Sequence, residues 1–200
     1  MKAVSLTSRF SPWSGLVPGL CLALCVTNAA SGQTAQVTDE IVVQATRIPK
    51  SAVEVPAAVS VVGRDDVQLA RQQLGLDESL AAVPGVFMQD RYNFAQDLRV
   101  AIRGFGARSA FGIRGVKIIV DGIPETLPDG QGQVDAIDLG SISQVEVIRG
   151  PSSSLYGNAS GGVINITTEP GPEVPYTEAR LSFGEDDFSK YQLKAGGRAG

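Results

Sequence analysis

The sequence predicts a small α+β domain followed by a β-hairpin of the kind found in transmembrane β-barrels. The first observation is a series of short apolar runs with strand character between residues 57 and 167, separated by turn residues. The second is two short segments that begin with aspartates and have helical apolar spacing. The third is a pair of strictly alternating segments near the end of the chain.

The composition fits a folded, loop-rich protein. Of the 200 residues, 43% are hydrophobic and 19% are charged, which is typical of a globular chain rather than a disordered one. There are 23 glycines and 11 prolines, and most of the glycines follow residue 100. This distribution favours β-structure with many turns over a helical body.

The first thirty residues have the pattern of a secretory signal peptide. Lys2 and Arg9 make a basic start, and Leu16–Val26 is an apolar run too short to span a bilayer. A proline within this run argues against the alternative, a buried core helix. Small residues follow, so we expect cleavage at about residues 30–32.

The cysteines, histidines and charges exclude several classes of chemistry. Both cysteines, Cys21 and Cys25, fall within the predicted signal, and Leu24 stands where a lipoprotein anchor needs a small residue. The sequence has no histidine, which removes Ser-His-Asp and Cys-His catalysis and the usual zinc ligand sets. Without the signal, 15 basic residues stand against 21 acidic ones, which disfavours nonspecific nucleic-acid binding.

Two short helices are predicted early in the α+β domain. Asp65 or Asp66 is expected to cap the first, whose apolar spacing ends at Ala70. Asp77 is expected to cap the second, which runs to about residue 82 and ends before Pro84.

The strands of this domain are predicted from β-branched and aliphatic runs. Leu98–Ile102 alternates in the manner of a half-buried strand, and Val116–Val120 is a buried run closed by an Asp121-Gly122 turn. The predicted strands, in chain order, cover residues 57–62, 86–89, 98–102, 116–120, 144–149 and 163–167.

A change of composition at residues 169–175 (E-P-G-P-E-V-P) indicates a linker. After it, two segments of about ten residues have one apolar and one polar face, as transmembrane β-barrel strands do. A soluble hairpin fits these residues equally well. Because a barrel needs at least about eight strands to close, residues 176–200 are expected to be an incomplete first hairpin.

Four motifs, taken in order behind a signal peptide, resemble the TonB-dependent outer-membrane receptor family. Asp39–Arg47 (D-E-I-V-V-Q-A-T-R) resembles the TonB box, Ile102–Phe105 the I-R-G-F signature and Val120–Pro124 the V-D-G-x-P turn. Val145–Ile166 resembles the E-V-x-R-G-P…L-Y-G…G-G-x-I-N-I block. The resemblance covers about residues 39–200, and residues 109–115 and 128–133 further resemble a branch of iron-complex receptors.

This resemblance implies an outer-membrane active transporter in which an N-terminal plug, a small mixed four-stranded sheet with short helices, closes a 22-stranded barrel. The implied cargo is a scarce small molecule, most often a ferric siderophore or another iron complex. Relatives also carry haem, cobalamin or a quinone cofactor. The implied domains are a signal peptide (1–30), a periplasmic linker (31–50) with the TonB box (39–47), the plug (51–168), a linker (169–175) and the first barrel hairpin (176–200).

The resemblance also implies how energy arrives. An extended segment can add as a strand to the sheet edge of a partner, so we expect Ile41–Ala45 to pair with TonB, which ExbB and ExbD energise. The alternative is an ordinary edge strand of the plug. The residues assigned to the TonB box are Asp39, Glu40, Ile41, Val42, Val43, Gln44 and Ala45.

Two further sets of residues are implied by the family. Arg103 and Arg149 match arginines that pair with barrel glutamates and lock the plug, and Glu146 is expected to join them; solvated surface arginines are the alternative. Apical loops are expected to contact the ligand, because Arg, Gln and aromatic mixtures suit planar, anionic chelates. The loop candidates are Arg91, Tyr92, Phe94, Phe105, Arg108, Phe111, Asp129, Gln131 and Gln133.

Two other functions were weighed against this one. An enzyme could use paired carboxylates, Asp121 with Asp129 or Asp135, but Asp121-Gly122 is explained more simply as a turn. A passive pore or adhesion module would lack the TonB box. We therefore predict no enzyme, no catalytic or metal-binding residues, no bound cofactor and no nucleic-acid partner, in a monomer that contacts outer-membrane lipid.

Overall fold

The computed structural model describes residues 2–8, 42–44, 48, 50–69, 71–93 and 95–197. Most of the predicted signal, both ends of the TonB box (39–41 and 45–47) and Phe94 lie outside the described residues. The signal peptide, its cleavage and the domain limits therefore stay predictions. No helix in the described part of the chain has the length and apolar character needed to cross a membrane.

The described strands and helices are short and follow each other closely. The strands are β1 (Lys2–Ser8), β2 (Val42–Val43), β3 (Lys50–Ser51), β4 (Ala58–Gly63), β5 (Val86–Gln89), β6 (Arg99–Ile102), β7 (Ile113–Arg114), β8 (Val116–Val120), β9 (Ile123–Pro124), β10 (Gln131–Gly132), β11 (Ile142–Arg149), β12 (Gly162–Thr168), β13 (Tyr176–Phe183) and β14 (Ser189–Gly196). The helices are α1 (Arg64–Gln68), α2 (Asp77–Leu80) and α3 (Ser153–Tyr156).

A mixed sheet with the strand order β4-β11-β12-β8-β9 forms the centre of the fold. Strands β12 and β8 are parallel, and the other neighbours are antiparallel. The predicted four strands are present, and a fifth, the two-residue β9, follows the Asp121-Gly122 turn. Both turn residues have positive φ, 48° and 81°, the backbone geometry that Asp-Gly favours in two-residue hairpins.

The central sheet separates two apolar layers, because side chains alternate between the two faces of a strand. In β11, Val145 and Val147 join a larger core that also contains Val67 of α1 and Leu80 of α2. Ile148 joins a smaller core on the other face. We call these the helix face and the N-terminal face of the sheet, since the N-terminal face is covered by residues from 43 to 61.

The predicted helix caps were wrong. Helix α1 begins at Arg64, so that Asp65 and Asp66 lie inside its first turn, and α2 begins at Asp77 itself. Neither helix has a side-chain cap hydrogen bond. Asp77 instead forms an ion pair with Arg91, with Nε and Oδ2 2.6 Å apart, because the tertiary partner competes with the free backbone N–H groups for the carboxylate.

Strand β6 also differs from its prediction. Val100, Ala101 and Ile102 are all buried, so both faces of this strand are covered rather than one. It pairs antiparallel with β5 outside the central sheet. In the alternating pattern, Ala101 falls on the face predicted to meet solvent. The pattern therefore predicted a half-buried strand.

The hairpin of β13 and β14 has its polar side chains inside and its apolar side chains outside. Glu178, Arg180 and Ser182 are 5–7% exposed, whereas the apolar residues of the opposite face are 42–73% exposed. The exposed apolar residues are Leu181, Phe183, Tyr191 and Leu193. A soluble hairpin would bury the apolar face, so this arrangement favours a barrel wall with a lipid-facing exterior.

The other edge of β13 pairs antiparallel with β1. Removal of the first thirty residues, as the sequence predicts, would take β1 away. The backbone groups along this edge would then be free to pair with a different strand.

Candidate functional site

Residues 42–44 of the predicted TonB box are docked on the plug. Val42 and Val43 form β2, which pairs antiparallel with β3. Val43 is fully buried in the smaller core, where Ile148 and Val163 also lie. Although these residues belong to the predicted linker, the apolar side chain of Val43 is removed from water by packing on the sheet.

The carboxylate of Glu146 holds the backbone of this segment. The N–H of Gln44 donates to Oε1 at 2.9 Å and to Oε2 at 3.1 Å. Gln144 Nε2 donates to Glu146 Oε1 at 2.6 Å and to the carbonyl of Val42 at 3.3 Å. Asn165 Nδ2 donates to Oε2 at 3.3 Å. Because Glu146 is 0% exposed, its charge depends on these donors.

Glu146 faces the docked segment and not the two arginines. Side chains three residues apart on β11 point to opposite faces of the sheet. Glu146 lies on the N-terminal face, whereas Arg149 reaches the carbonyl of Pro84 on the other side, with Nη1 2.7 Å away. That Glu146 joins Arg103 and Arg149 in a lock between plug and barrel stays a prediction.

Arg103 and Arg149 flank Gly85. A Cβ atom added at Gly85 would lie 3.7 Å from Cγ of Arg103 and 4.0 Å from Cδ of Arg149. Arg103 has a positive φ of 50°, and its N–H donates to the Gly85 carbonyl at 2.9 Å. Arg149 Nε is buried and lacks a hydrogen-bond partner in the described part of the chain. Two guanidinium groups, one of them with an unsatisfied N–H, suit an anionic partner. The pairing of these arginines with barrel glutamates stays a prediction.

Several polar residues that are candidates for ligand contact form hydrogen bonds within the plug. Arg114, which the sequence analysis did not select, donates to the carbonyl of Asp129 at 3.1 Å and to its Oδ2 at 3.3 Å. It also reaches Gln131 Oε1 at 3.4 Å, and Gln133 Nε2 donates to Asp97 Oδ2 at 3.2 Å. These side chains shape the loops. No local pattern marked Arg114, because its partners come from the loop that follows β9.

The aromatic candidates, in contrast, face solvent. Tyr92 is 80% exposed, Phe111 76% and Phe105 49%. The guanidinium carbon of Arg91 lies 5.7 Å from the centroid of the Tyr92 ring, within the range of a cation–π contact. Arg108 is also exposed. The loops thus present rings and cationic groups outward, a surface that suits planar, anionic ligands.

An acidic cleft of about 500 Å³ lies between residues 73–77, 90–98 and 134–139. Burial and the neighbouring Asp97 carboxylate raise the pKa of Asp135. The described residues contain no group of three or more His, Cys, Asp or Glu side chains that could hold a metal ion. The cleft carries negative charge without forming a cation site.

The carboxylates considered for hydrolysis have structural partners. The backbone N–H of Thr168 donates to Asp121 Oδ1 and the Thr168 hydroxyl donates to Asp121 Oδ2, both at 2.8 Å. Asp129 Oδ1 accepts the N–H of Gln131 at 3.0 Å. These bonds fix turns, which supports the simpler interpretation of Asp121.

The comparisons with known proteins agree with this geometry. The family described as TonB-dependent Receptor Plug Domain matches residues 51–163. The vitamin B12 transporter BtuB of Vibrio vulnificus (strain YJ016) is 30% identical over 168 residues, 83% of this chain and 26% of that protein. The iron-regulated outer membrane virulence protein of Vibrio cholerae (strain O395) is 36% identical over 171 residues, 80% of this chain and 24% of that protein. The chain thus spans about a quarter of the length of these relatives.

A solved structure shows the same fold. The ferripyoverdine receptor of the outer membrane of Pseudomonas aeruginosa aligns with 80% of this chain and 20% of its own, with a TM-score of 0.55 and 21% identity. The matched family model describes a receptor domain, and one matched relative is a transporter. The plug-domain family matches more than half of the residues of this chain, and the chain therefore belongs to the TonB-dependent receptors of the outer membrane.

Proposed function

We propose that this chain is part of an active-transport receptor that takes up a scarce iron complex, most specifically a ferric siderophore, and that the plug gates its barrel. The observation that carries the proposal is the docking of Val42–Gln44 on the central sheet. A segment whose backbone is hydrogen-bonded to the side chains of Glu146 and Gln144 on the central strand β11 is a handle through which an outside pull reaches the plug. The outer membrane has no ATP, so such a pull must come through a protein contact.

The partner that supplies this pull is TonB, energised by ExbB and ExbD. TonB would pair with the backbone of the coupling segment, which we define as residues 39–47, by adding it as a strand to its own sheet. The same backbone groups are bonded to β3 and to Glu146. TonB therefore competes with the plug for them, and pairing with TonB removes the segment from the sheet.

The cargo is proposed from the apical loops. Exposed Tyr92 and Phe111 beside exposed Arg91 and Arg108 suit a planar, anionic ferric chelate. The iron-regulated relative supports this class, and the vitamin B12 transporter supports cobalamin as the second candidate. Haem and a quinone cofactor are further cargoes of the same transporter class. The receptor acts as a monomer, with no covalently bound or catalytic cofactor.

Uptake in cells with and without TonB tests this function. Cells that produce the receptor, in a strain lacking its own iron and cobalamin receptors, are given radioiron-labelled ferripyoverdine or radiocobalt-labelled cyanocobalamin. We expect TonB-dependent accumulation of the iron probe, and accumulation of cobalamin alone would select the second cargo. Equal uptake in the TonB-null strain would support the alternative, a passive pore, and no uptake of either probe by surface-located receptor would contradict both cargo assignments.

A further inference from the structure

A partly buried polar network joins the plug to the barrel hairpin. Glu169, just after β12, accepts hydrogen bonds from side chains of both parts. Arg64 Nε of α1 is 2.6 Å from Oε1, and Lys194 Nζ of β14 is 2.9 Å from Oε2. Gln68 Nε2 also donates to Oε1, at 2.8 Å. The carboxylate of Glu169 therefore accepts hydrogen bonds from two donors of α1 and one donor of the barrel hairpin.

Gln68 occupies the centre of this network. Its Nε2 donates to the carbonyl of Ile142 at 2.6 Å, and its Oε1 accepts from Arg180 Nη1 and from Lys194 Nζ, both at 3.3 Å. Arg180 Nη1 also reaches the Gln68 carbonyl at 3.2 Å. Gln68 is 2% exposed and Arg180 5%. The side chain thus links the end of α1 to β11, β13 and β14 away from solvent.

Glu178 adds a second carboxylate to the network. Its Oε1 lies 2.6 Å from Arg180 Nη2, and its Oε2 lies 3.4 Å from Arg64 Nη2. Two carboxylates and three cations are thereby held together, and among the buried side-chain atoms of the network only Nε of Arg180 lacks a hydrogen-bond partner in the ranges described above. Separating the plug from the hairpin would break the Glu169–Lys194 and Arg64–Glu178 pairs and leave these charges without their partners, which opposes the separation.

The burial and hydrogen bonds of Gln68 place this network on the helix face of the sheet, and the docked coupling segment lies on the N-terminal face. A pull on residues 42–44 is resisted first by the two-residue β2–β3 pairing and by the Glu146 bonds. The network lies beyond the sheet and has more ion pairs. A pull on the coupling segment therefore acts on the β2–β3 pairing and the Glu146 bonds before it acts on the network.

We propose that Arg64, Gln68 and Glu169 form an anchor that keeps this side of the plug on the first two barrel strands throughout transport, while the N-terminal face yields. The anchor is a second attachment, separate from the arginine pair at Gly85. This inference rests on the proposed function, because it takes the coupling segment as the point where force is applied.

Tethering tests whether the anchored side moves. Gln73 and Lys190 lie beside the anchor, with Lys190 Nζ 2.5 Å from Gln73 Oε1, so Gln73→Cys with Lys190→Cys can be joined by a cleavable bifunctional thiol reagent without changing the anchor itself. A matched tether, Gln44→Cys with Gln144→Cys, joins the coupling segment to β11. Uptake of ferripyoverdine and of cyanocobalamin is measured before and after cleavage of the linker.

We expect the anchor tether to leave uptake at the level of the same double-cysteine protein before linking, and the coupling-segment tether to lower uptake well below that of its own unlinked double-cysteine protein. Loss of uptake with the anchor tether, restored on cleavage, would overturn the anchor. Unchanged uptake with the coupling-segment tether would instead contradict the proposed function. The two failures are therefore distinguishable.

A second experiment tests the anchor without any transported ligand. Glu169→Gln removes the charge shared by Arg64 and Lys194, whereas Glu173→Gln changes an exposed carboxylate in the same linker. The purified receptors are placed in planar lipid bilayers and the ion conductance is recorded. We expect more frequent openings for Glu169→Gln and wild-type behaviour for Glu173→Gln; equal conductance in all three proteins would contradict the anchor.

Discussion

The backbone N–H of Gln44 donates to the carboxylate of Glu146 at 2.9 Å, across 102 residues of chain. This bond makes the coupling segment part of the plug surface. Because Glu146 is buried on a central strand, undocking the segment costs the carboxylate a donor at the same time as it exposes Val43. Docking is thus stabilised by one buried charge and one buried apolar side chain, both of which can be changed singly.

Glu146→Gln should loosen the coupling segment. The amide keeps the size of the side chain but has only one acceptor oxygen and no charge, and a hydrogen bond to a charged group is worth about 1–2 kcal/mol more than one to a neutral group. We expect amide hydrogen exchange in residues 42–44 to become about tenfold faster. Hydrogen exchange of the purified receptor, read by mass spectrometry, measures this. Glu125→Gln, an exposed carboxylate, is the control, and unchanged protection in Glu146→Gln would contradict the docking role.

Gly162→Ala should destabilise the plug. Gly162 has a φ of 144°, and an added Cβ atom would overlap the carbonyl oxygen of Ile148. The paired strand must shift, which we expect to cost about 1–3 kcal/mol. Gly63→Ala is the matched control, since a Cβ atom there has open space within 4 Å. Thermal unfolding of the two variants compares them; equal midpoints would show that β11 and β12 can part without cost.

The stability that Glu169 contributes should be lost in acid. Burial alone would raise the pKa of Glu169, but hydrogen bonds from Arg64, Lys194 and Gln68 outweigh it, so the pKa lies below its ordinary value of 4.5. An acid with a lowered folded pKa contributes stability above its unfolded pKa and loses that contribution as the pH falls through the folded one. The difference in unfolding midpoint between wild type and Glu169→Gln should hold from pH 7 to about 5 and vanish in stronger acid. A difference that is independent of pH would exclude the charge as its source.

Asp135 should show the opposite dependence. Burial, and next the adjacent Asp97 carboxylate, raise the pKa of Asp135 above its ordinary value of 3.8. Ionisation at neutral pH therefore costs stability, which declines as the pH rises from the unfolded pKa to the folded one. We expect Asp135→Asn to raise the unfolding midpoint at pH 7 and to change it little below about pH 3.8. A lower midpoint at pH 7 would mean that the carboxylate is stabilised by contacts other than those named here.

Elements with strong local patterns were predictable, and long-range contacts were not. Strands β5 and β8 have the predicted limits because apolar runs are bounded by turn residues on both sides. The apolar and polar faces of the hairpin also followed from alternation. The docking of Val43, the pairing of Asp77 with Arg91 and the anchor at Gln68 join residues far apart in sequence. A glutamine at the end of a short helix has no local feature that marks it as the centre of a partly buried network.

In the proposed function, the backbone of the coupling segment transmits the force from TonB. Val42→Pro removes a backbone N–H from this segment and leaves the apical loops unchanged, whereas Val42→Thr keeps the N–H and the β-branched shape. The most direct measurement is a titration of the purified receptors with the periplasmic domain of TonB, together with uptake of labelled ferripyoverdine and cyanocobalamin in cells. We predict saturable TonB binding and uptake for wild type and Val42→Thr, and loss of both for Val42→Pro at unchanged ligand binding to cells. Wild-type TonB binding and uptake by Val42→Pro would contradict the account.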